Sequence, residues 1–183
     1  MGKKIVKAIA LCFAILFLII ICWFIWCFRA NKVHYKNDPI QYTSESAEQK
    51  ALIIYQKGRS NFSSSVAGQI ASGLNKAGYN VTVNQPGDFL PTDLSEYDLV
   101  MFGSPVYVSC LSSVLEDYIK SVAHFGNAEI IYYTTGVLET AEELKPVADT
   151  FHDITFTGIV KIAKADMDQG AVYEKIRNIL DKD

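Results

Sequence analysis

Three short turns hold the side chains of this 183-residue chain that suit ligand chemistry. The first runs from Gln56 to Ser65 and opens directly onto a helical pattern. It offers the hydroxyls of Ser60, Ser63 and Ser64, backbone freedom at Gly58, and the unpaired N–H groups and positive dipole of a helix start. Those are the parts of a phosphate cradle. They are equally the parts of an ordinary N-capping loop, because Ser is a common cap, and both readings stand at this point. The second turn follows Gly103 and contains Ser104, Pro105, Val106 and Tyr107; the third contains Thr134, Thr135 and Gly136. No Gly-Lys-Ser follows the first turn, which excludes a nucleoside-triphosphate P-loop, and no G-x-G-x-x-G occurs to suggest a dinucleotide site. No pair of residues suggests nucleophilic or acid–base catalysis, so no catalytic residue is expected. One cysteine, Cys110, and two histidines, His124 and His152, are too few for a zinc site in this part of the chain, so no metal is expected.

The elements that must position these turns are legible from periodicity. Ala51 to Tyr55 is a continuous apolar run of strand length. Val66, Ile70, Leu74 and Ala77 recur at helical spacing and stop at Gly78. Tyr79 to Val83 alternates as a second strand, and Asp98 to Gly103 is a third, fully apolar one. Leu111 to Ala123 is helical in pattern, Glu129 to Thr134 a fourth strand, and Glu139 to Phe151 helical again. Ile154 to Ala163 gives a fifth strand, and Gln169 to Leu180 a closing helix. Strand and helix alternate, which predicts an α/β fold: a five-stranded parallel sheet with helices on both faces, since each parallel crossover needs an intervening element. The link from Val83 to Asp98 contains Pro86, Gly87 and Pro91 and reads as loop. In such a sheet ligands bind beyond the carboxyl ends of the strands, where the strand order reverses. All three turns belong there.

The rest of the chain reads as an anchor. Ala8 to Phe28 is a run of 21 uncharged residues, long enough to cross about 30 Å of hydrocarbon at roughly 1.5 Å per helical residue. It lacks the small-residue cleavage site of a secretory signal, and Trp23, Trp26 and Arg29 suit a headgroup layer, so it reads as a retained transmembrane helix over 1–29. Residues 30–49, polar and containing Asp38-Pro39, read as a flexible stalk, and 50–183 as the folded domain. Lys3, Lys4, Lys7 and the terminal amine face Arg29, Lys32 and Lys36 across the run. A short tail with several positive charges resists translocation, so the domain is expected on the outer face of a cell membrane. From Lys50 onward, 11 basic residues face 17 acidic ones. That acidic balance argues against nucleic acid, whose phosphates demand clustered Lys and Arg, and favours cationic partner surfaces.

Taken together, the Gly103-Ser104-Pro105-Val106-Tyr107 turn and the Ser-rich first turn make the chain from about Ala51 onward resemble the flavodoxin family, especially its small flavodoxin-like members. The resemblance covers nearly all of the domain and none of the anchor. It implies a flavodoxin-like three-layer sandwich holding a non-covalent FMN. The phosphate would lie on Ser60, Asn61, Phe62 and Ser63, with Gly58 opening the turn. Tyr107 would pack against one isoalloxazine face, Pro105 and Val106 would line the ring's edge beside Ser104, and Thr134, Thr135, Gly136 and Val137 would form the loop over the pyrimidine. The chain departs from the family at Asn61, where a glycine is usual, and at Phe62, where Asn is usual. It departs again at Gly136, Val137 and Leu138, where many relatives place an aromatic, which implies a less stacked ring.

The resemblance implies a membrane-tethered FMN-binding electron-transfer protein. Its partners would be the lipid bilayer and a membrane redox protein or quinone pool, with tethering raising effective concentration. An alternative is a flavin-dependent oxidoreductase acting on a quinone or other lipid-soluble substrate, such as a quinone reductase or a flavodoxin-type protoporphyrinogen oxidase. A third is a flavodoxin-fold binding module without flavin. A phosphoacceptor receiver domain is excluded, because the first strand ends in Tyr55-Gln56-Lys57 without acidic residues.

Overall fold

The computed structural model describes residues 2–107, 110–137 and 144–182. In chain order the elements are α1 (Gly2–Ala30), β1 (Ile40–Tyr42), β2 (Gln49–Tyr55), α2 (Phe62–Lys76), β3 (Tyr79–Asn84), β4 (Leu99–Pro105), α3 (Ser113–Ser121), β5 (Glu129–Gly136), α4 (Lys145–Thr150), β6 (Gly158–Ala163), α5 (Lys164–Asp168) and α6 (Val172–Leu180). The sheet order is β1-β3-β2-β4-β5-β6. β2 through β6 are parallel, and β1 joins β3 antiparallel with Ile40 opposite Val83. The chain steps from β2 outward to β3 and then returns across β2 to β4, so the strand order reverses between β2 and β4.

The alternation of side chains builds two cores from one sheet. Ala51, Ile53, Met101, Ile131 and Tyr133 face the layer of α2 and α6, where Val66, Ile70, Leu74, Val172 and Ile176 close over them. Leu52, Ile54, Val100, Phe102 and Tyr132 face α3 and α4, against Leu115, Ile119, Val147 and Phe151. Each fully buried Leu, Ile or Phe stabilises by about 1.5–3 kcal/mol relative to exposure, so these two layers are the main stabilising term. α2 ends because Gly78 takes φ +100°, a left-handed conformation that costs glycine nothing.

Six strands form instead of five because the segment read as a flexible stalk is ordered. Ile40–Tyr42 pairs with β3, and Asn75 and Asn80 hold the chain beside it through the carbonyls of Tyr42 and Ala47. Three residues with no alternation to reveal them gave the sequence no strand signal. The last strand is shorter than its apolar run, since Ile154 and Phe156 lie in the preceding loop and pack on the α3 and α4 layer. The closing helix starts three residues later than its pattern, at Val172 as α6, and an additional short helix, α5, precedes it across Gly170 at φ +68°. The helical pattern from Glu139 to Phe151 is described only from its later part, where α4 lies.

Lys161 of β6 is the buried lysine of the sheet, 7% exposed, and burial pushes its ammonium down from 10.5 to about 8. A depressed lysine pKa means that the folded state binds fewer protons than the unfolded chain between those two values, so stability rises with pH there. Lys161→Met is therefore expected to stabilise the fold by about 1 kcal/mol at neutral pH, a figure reduced for solvent screening. The advantage should shrink as pH climbs from about 8 toward 10.5. Urea midpoints of both proteins across that window check this, and a pH-independent difference would refute it.

Candidate functional site

The carboxyl ends of β2, β4 and β5 form a rim at the switch point, and the three turns meet on it. Beyond β2, Gln56 is fully buried and its N–H donates to the Gly103 carbonyl at 2.8 Å, fastening the first turn to β4. The turn then passes Gly58 and enters α2. Asn61 sits at the N-cap without a side-chain cap bond, so the first-turn N–H groups of a 15-residue helix point toward the rim. Ser60 Oγ accepts only a long bond, 3.4 Å, from the Phe62 N–H. Ser64 Oγ is enclosed without a hydrogen-bond partner. Ser63 is buried and shares a 2.9 Å hydrogen bond with Thr135 Oγ1, tying the start of α2 to the end of β5.

A side chain at position 58 would crowd this site: its Cβ would fall 3.1 Å from Ser63 Oγ and 3.2 Å from the Tyr107 hydroxyl. Glycine keeps that space open. The Tyr107 hydroxyl reaches back across it and accepts from the Arg59 N–H at 2.9 Å. Val106 N–H donates to the Thr135 carbonyl at 3.1 Å, and Tyr107 and Cys110 exchange backbone bonds of 3.2 and 3.0 Å. The structure thus brings Gly58, Ser63, Pro105, Val106, Tyr107 and Thr135 together, with Ser60, Asn61 and Phe62 at the helix entrance. Ser104 is turned to a different task. Its hydroxyl accepts from the Ser112 N–H at 2.9 Å and donates to the Pro105 carbonyl, which helps fix the start of α3. Thr134 is fully buried with its hydroxyl unpartnered. Gly136 ends β5 and leads to Val137, 78% exposed; Leu138 lies outside the described residues.

One part of the rim was hidden in the sequence. After α1 the chain lies across the rim as a strap. Asn31, buried, donates to the Cys110 carbonyl at 2.8 Å, and its own carbonyl accepts from Ser112 Oγ at 3.2 Å. Gln56 Nε2 donates to the Val33 carbonyl at 3.1 Å, while Gln56 Oε1 accepts from Ser112 Oγ at 3.0 Å. Tyr35 OH donates to the Lys57 carbonyl, and Asn84 Nδ2 to Asn37 Oδ1 at 2.8 Å. The Tyr35 phenol is pushed above its ordinary pKa by burial and then by the neighbouring Tyr107. Arg59 stacks 3.7 Å above the Trp26 ring and donates to the Trp26 carbonyl, joining the first turn to the last residues of the apolar helix. Most of these bonds use backbone carbonyls, which residue types do not advertise.

Chemically, the first turn is an anion site. A helix N-terminus without a side-chain cap and a glycine-sized gap border it, and no carboxylate lies between Gln56 and Ser65. This donor set fits the phosphate of an FMN. Among the described residues no cluster of His, Cys, Asp and Glu could hold a metal ion.

No protein-family model and no curated protein matches the chain. Solved structures do. A short-chain flavodoxin associated with a non-canonical PDU bacterial microcompartment superposes with a TM-score of 0.56 at 12% identity, covering 73% of this chain and 97% of that one. Oxidised flavodoxin 2 from Bacillus cereus gives 0.54 at 17% identity, covering 73% and 99%. A flavo di-iron protein from Thermotoga maritima gives 0.53 at 19% identity, covering 74% of this chain but 35% of that one. At these identities the likeness is one of fold.

Proposed function

With the flavodoxin-like fold as premise, we propose that this chain is a membrane-tethered electron-transfer protein that binds FMN without a covalent bond. The observation that carries the reading is the meeting of the first and second turns at the switch point, around an uncapped helix start. Ser60, Asn61, Phe62 and Ser63 would hold the phosphate through hydroxyls and first-turn N–H groups, with Gly58 leaving the space. Pro105, Val106 and Tyr107 would border the ring on one side, and Thr134, Thr135 and Gly136 on the other. When bound, the flavin supplies the redox chemistry. The protein's part is to bind, orient and partly desolvate. Apart from Lys57 and Arg59 of the first turn, the described residues that line the site are neutral and pair no acid with a base, which favours a carrier over an enzyme.

The tether rests on α1. Ile5–Trp26 is 22 residues long and wholly exposed on the domain's outside, a length of about 33 Å at 1.5 Å per residue. It would hold the domain at a cell membrane, with the outer face favoured by the basic N-terminal tail. The electron partner would be a membrane redox protein or a quinone pool. The strap favours the second, because it joins the apolar helix directly to the rim where the flavin would lie. Purified full-length protein in detergent is expected to be yellow and to release FMN on denaturation. A colourless protein that shows no change in the fluorescence of added FMN would refute the proposal.

A further inference from the structure

Among the described residues outside α1, the large hydrophobic side chains left exposed are Val33, Ile40, Phe89 and Val137. Chance would scatter four such residues over a surface. These four share one rim. Val33 is on the strap, Ile40 pairs with Val83 one residue before the end of β3, and Val137 follows β5. Phe89 lies in the loop leaving β3, and its neighbour Asp88 lines a cleft together with His34 of the strap. Charge follows the same pattern. The domain is acidic, yet Arg29, Lys32, Lys36, Lys57 and Arg59 are all exposed around the strap, against Asp38, Asp88 and, on α3, Glu116 and Asp117. Trp26, bound to Arg59, stands beside them at the end of the apolar helix.

An apolar tip set inside a cationic collar, continuous with a span, has the chemistry of a membrane-interface surface. We propose that the carboxyl rim docks on the anionic headgroups of the bilayer that carries α1. Phe89, Val137, Val33 and Ile40 enter the headgroup layer, while Lys32, Lys36, Lys57 and Arg59 meet lipid phosphates. The strap makes this orientation stable. Bonds from Asn31, Val33, Tyr35 and Asn37 hold the chain against the rim within eleven residues of Trp26, so the domain has no long leash on which to turn away. The docking rests on reading Ile5–Trp26 as a span, and it does not depend on the cofactor. Its consequence for electron transfer is that the exchange partner arrives through the lipid.

The test uses the full chain with Trp23→Phe and Trp26→Phe, which removes both native tryptophans, and a single reporter, either Phe89→Trp on the rim or His152→Trp on the opposite one. Proteins are placed in nanodiscs of phosphatidylcholine containing about one third phosphatidylglycerol, with lipids brominated near the headgroup as quenchers. Strong quenching of the Phe89→Trp reporter and none of the His152→Trp reporter is expected. Adding Lys57→Glu and Arg59→Glu should lower the ratio of docked to undocked protein about tenfold or more, at roughly 1 kcal/mol per basic residue. About 1 M salt should do the same without any substitution, by shortening the Debye length to about 3 Å. Equal, weak quenching of both reporters in protein that resists alkaline extraction would overturn the docking and leave the rim free for a protein partner. Extraction by alkali would instead remove the span, and the docking with it, while the yellow colour of the protein would stand or fall separately.

Discussion

Ser63→Asp is expected to weaken FMN binding by about a hundredfold or more. The position is buried at the start of α2, with its oxygen 2.9 Å from Thr135 Oγ1 and facing the gap kept open by Gly58. A carboxylate there would meet a phosphate at close range. Two unit charges about 4 Å apart repel by about 4 kcal/mol at an intermediate effective dielectric, and about 1.4 kcal/mol is tenfold in affinity. Ser63→Ala is the control: it loses one neutral hydrogen bond, worth about 1 kcal/mol or roughly fivefold. Quenching of FMN fluorescence on titration gives both affinities, and circular dichroism confirms that each variant is folded. Equal affinities for the two variants would place the phosphate elsewhere.

Gly103→Ala is expected to destabilise the protein by about 3 kcal/mol, the upper range for overpacking a closed core. Gly103 of β4 lies opposite Tyr133 of β5, and a Cβ on it would overlap the hydroxyl-bearing edge of the Tyr133 ring. That ring is fully buried and cannot swing outward, its phenol held well above its ordinary pKa by burial. Replacing the ring relieves the clash, so Gly103→Ala with Tyr133→Leu should lie closer to Tyr133→Leu alone than additivity predicts. Urea midpoints of the four proteins supply the cycle. A cost below about 1 kcal/mol for Gly103→Ala alone would mean that the ring yields readily.

The sheet was legible because its central strands carry continuous apolar runs, β3 alternates, and its helices carry period-3.6 stripes; Val66, Ile70 and Leu74 mark the buried face of α2. The rim was legible for a different reason: chain order alone places the turns after β2, β4 and β5 at carboxyl ends. Three features were not. β1 is too short for a period, and its strand character comes wholly from the partner β3. The strap was read as loose because its residues are polar, yet the side chains of Asn31 and Asn37 bind Cys110 and Asn84, and the backbone carbonyls of Asn31 and Val33 bind Ser112 and Gln56. Ser104 has the composition of a ligand contact, and only its neighbour Ser112, eight residues on, shows that the hydroxyl serves the start of α3. Spacing reports which residues share an element, whereas these three features depend on which backbone atoms come close in space.

The antiparallel strand β1 also bears on crowding in two dimensions. β3 would otherwise end the sheet with a row of open amide and carbonyl groups, a template for strand addition by a neighbouring copy. Molecules held in a bilayer by the proposed span would collide far more often than the same molecules in solution. Three residues beside Val81, Thr82 and Val83 occupy that flank, and Ser44 and Gln41 add bonds to Asn80 and Thr82. The segment that joins α1 to the domain thereby also closes the flank through which neighbouring copies would otherwise pair.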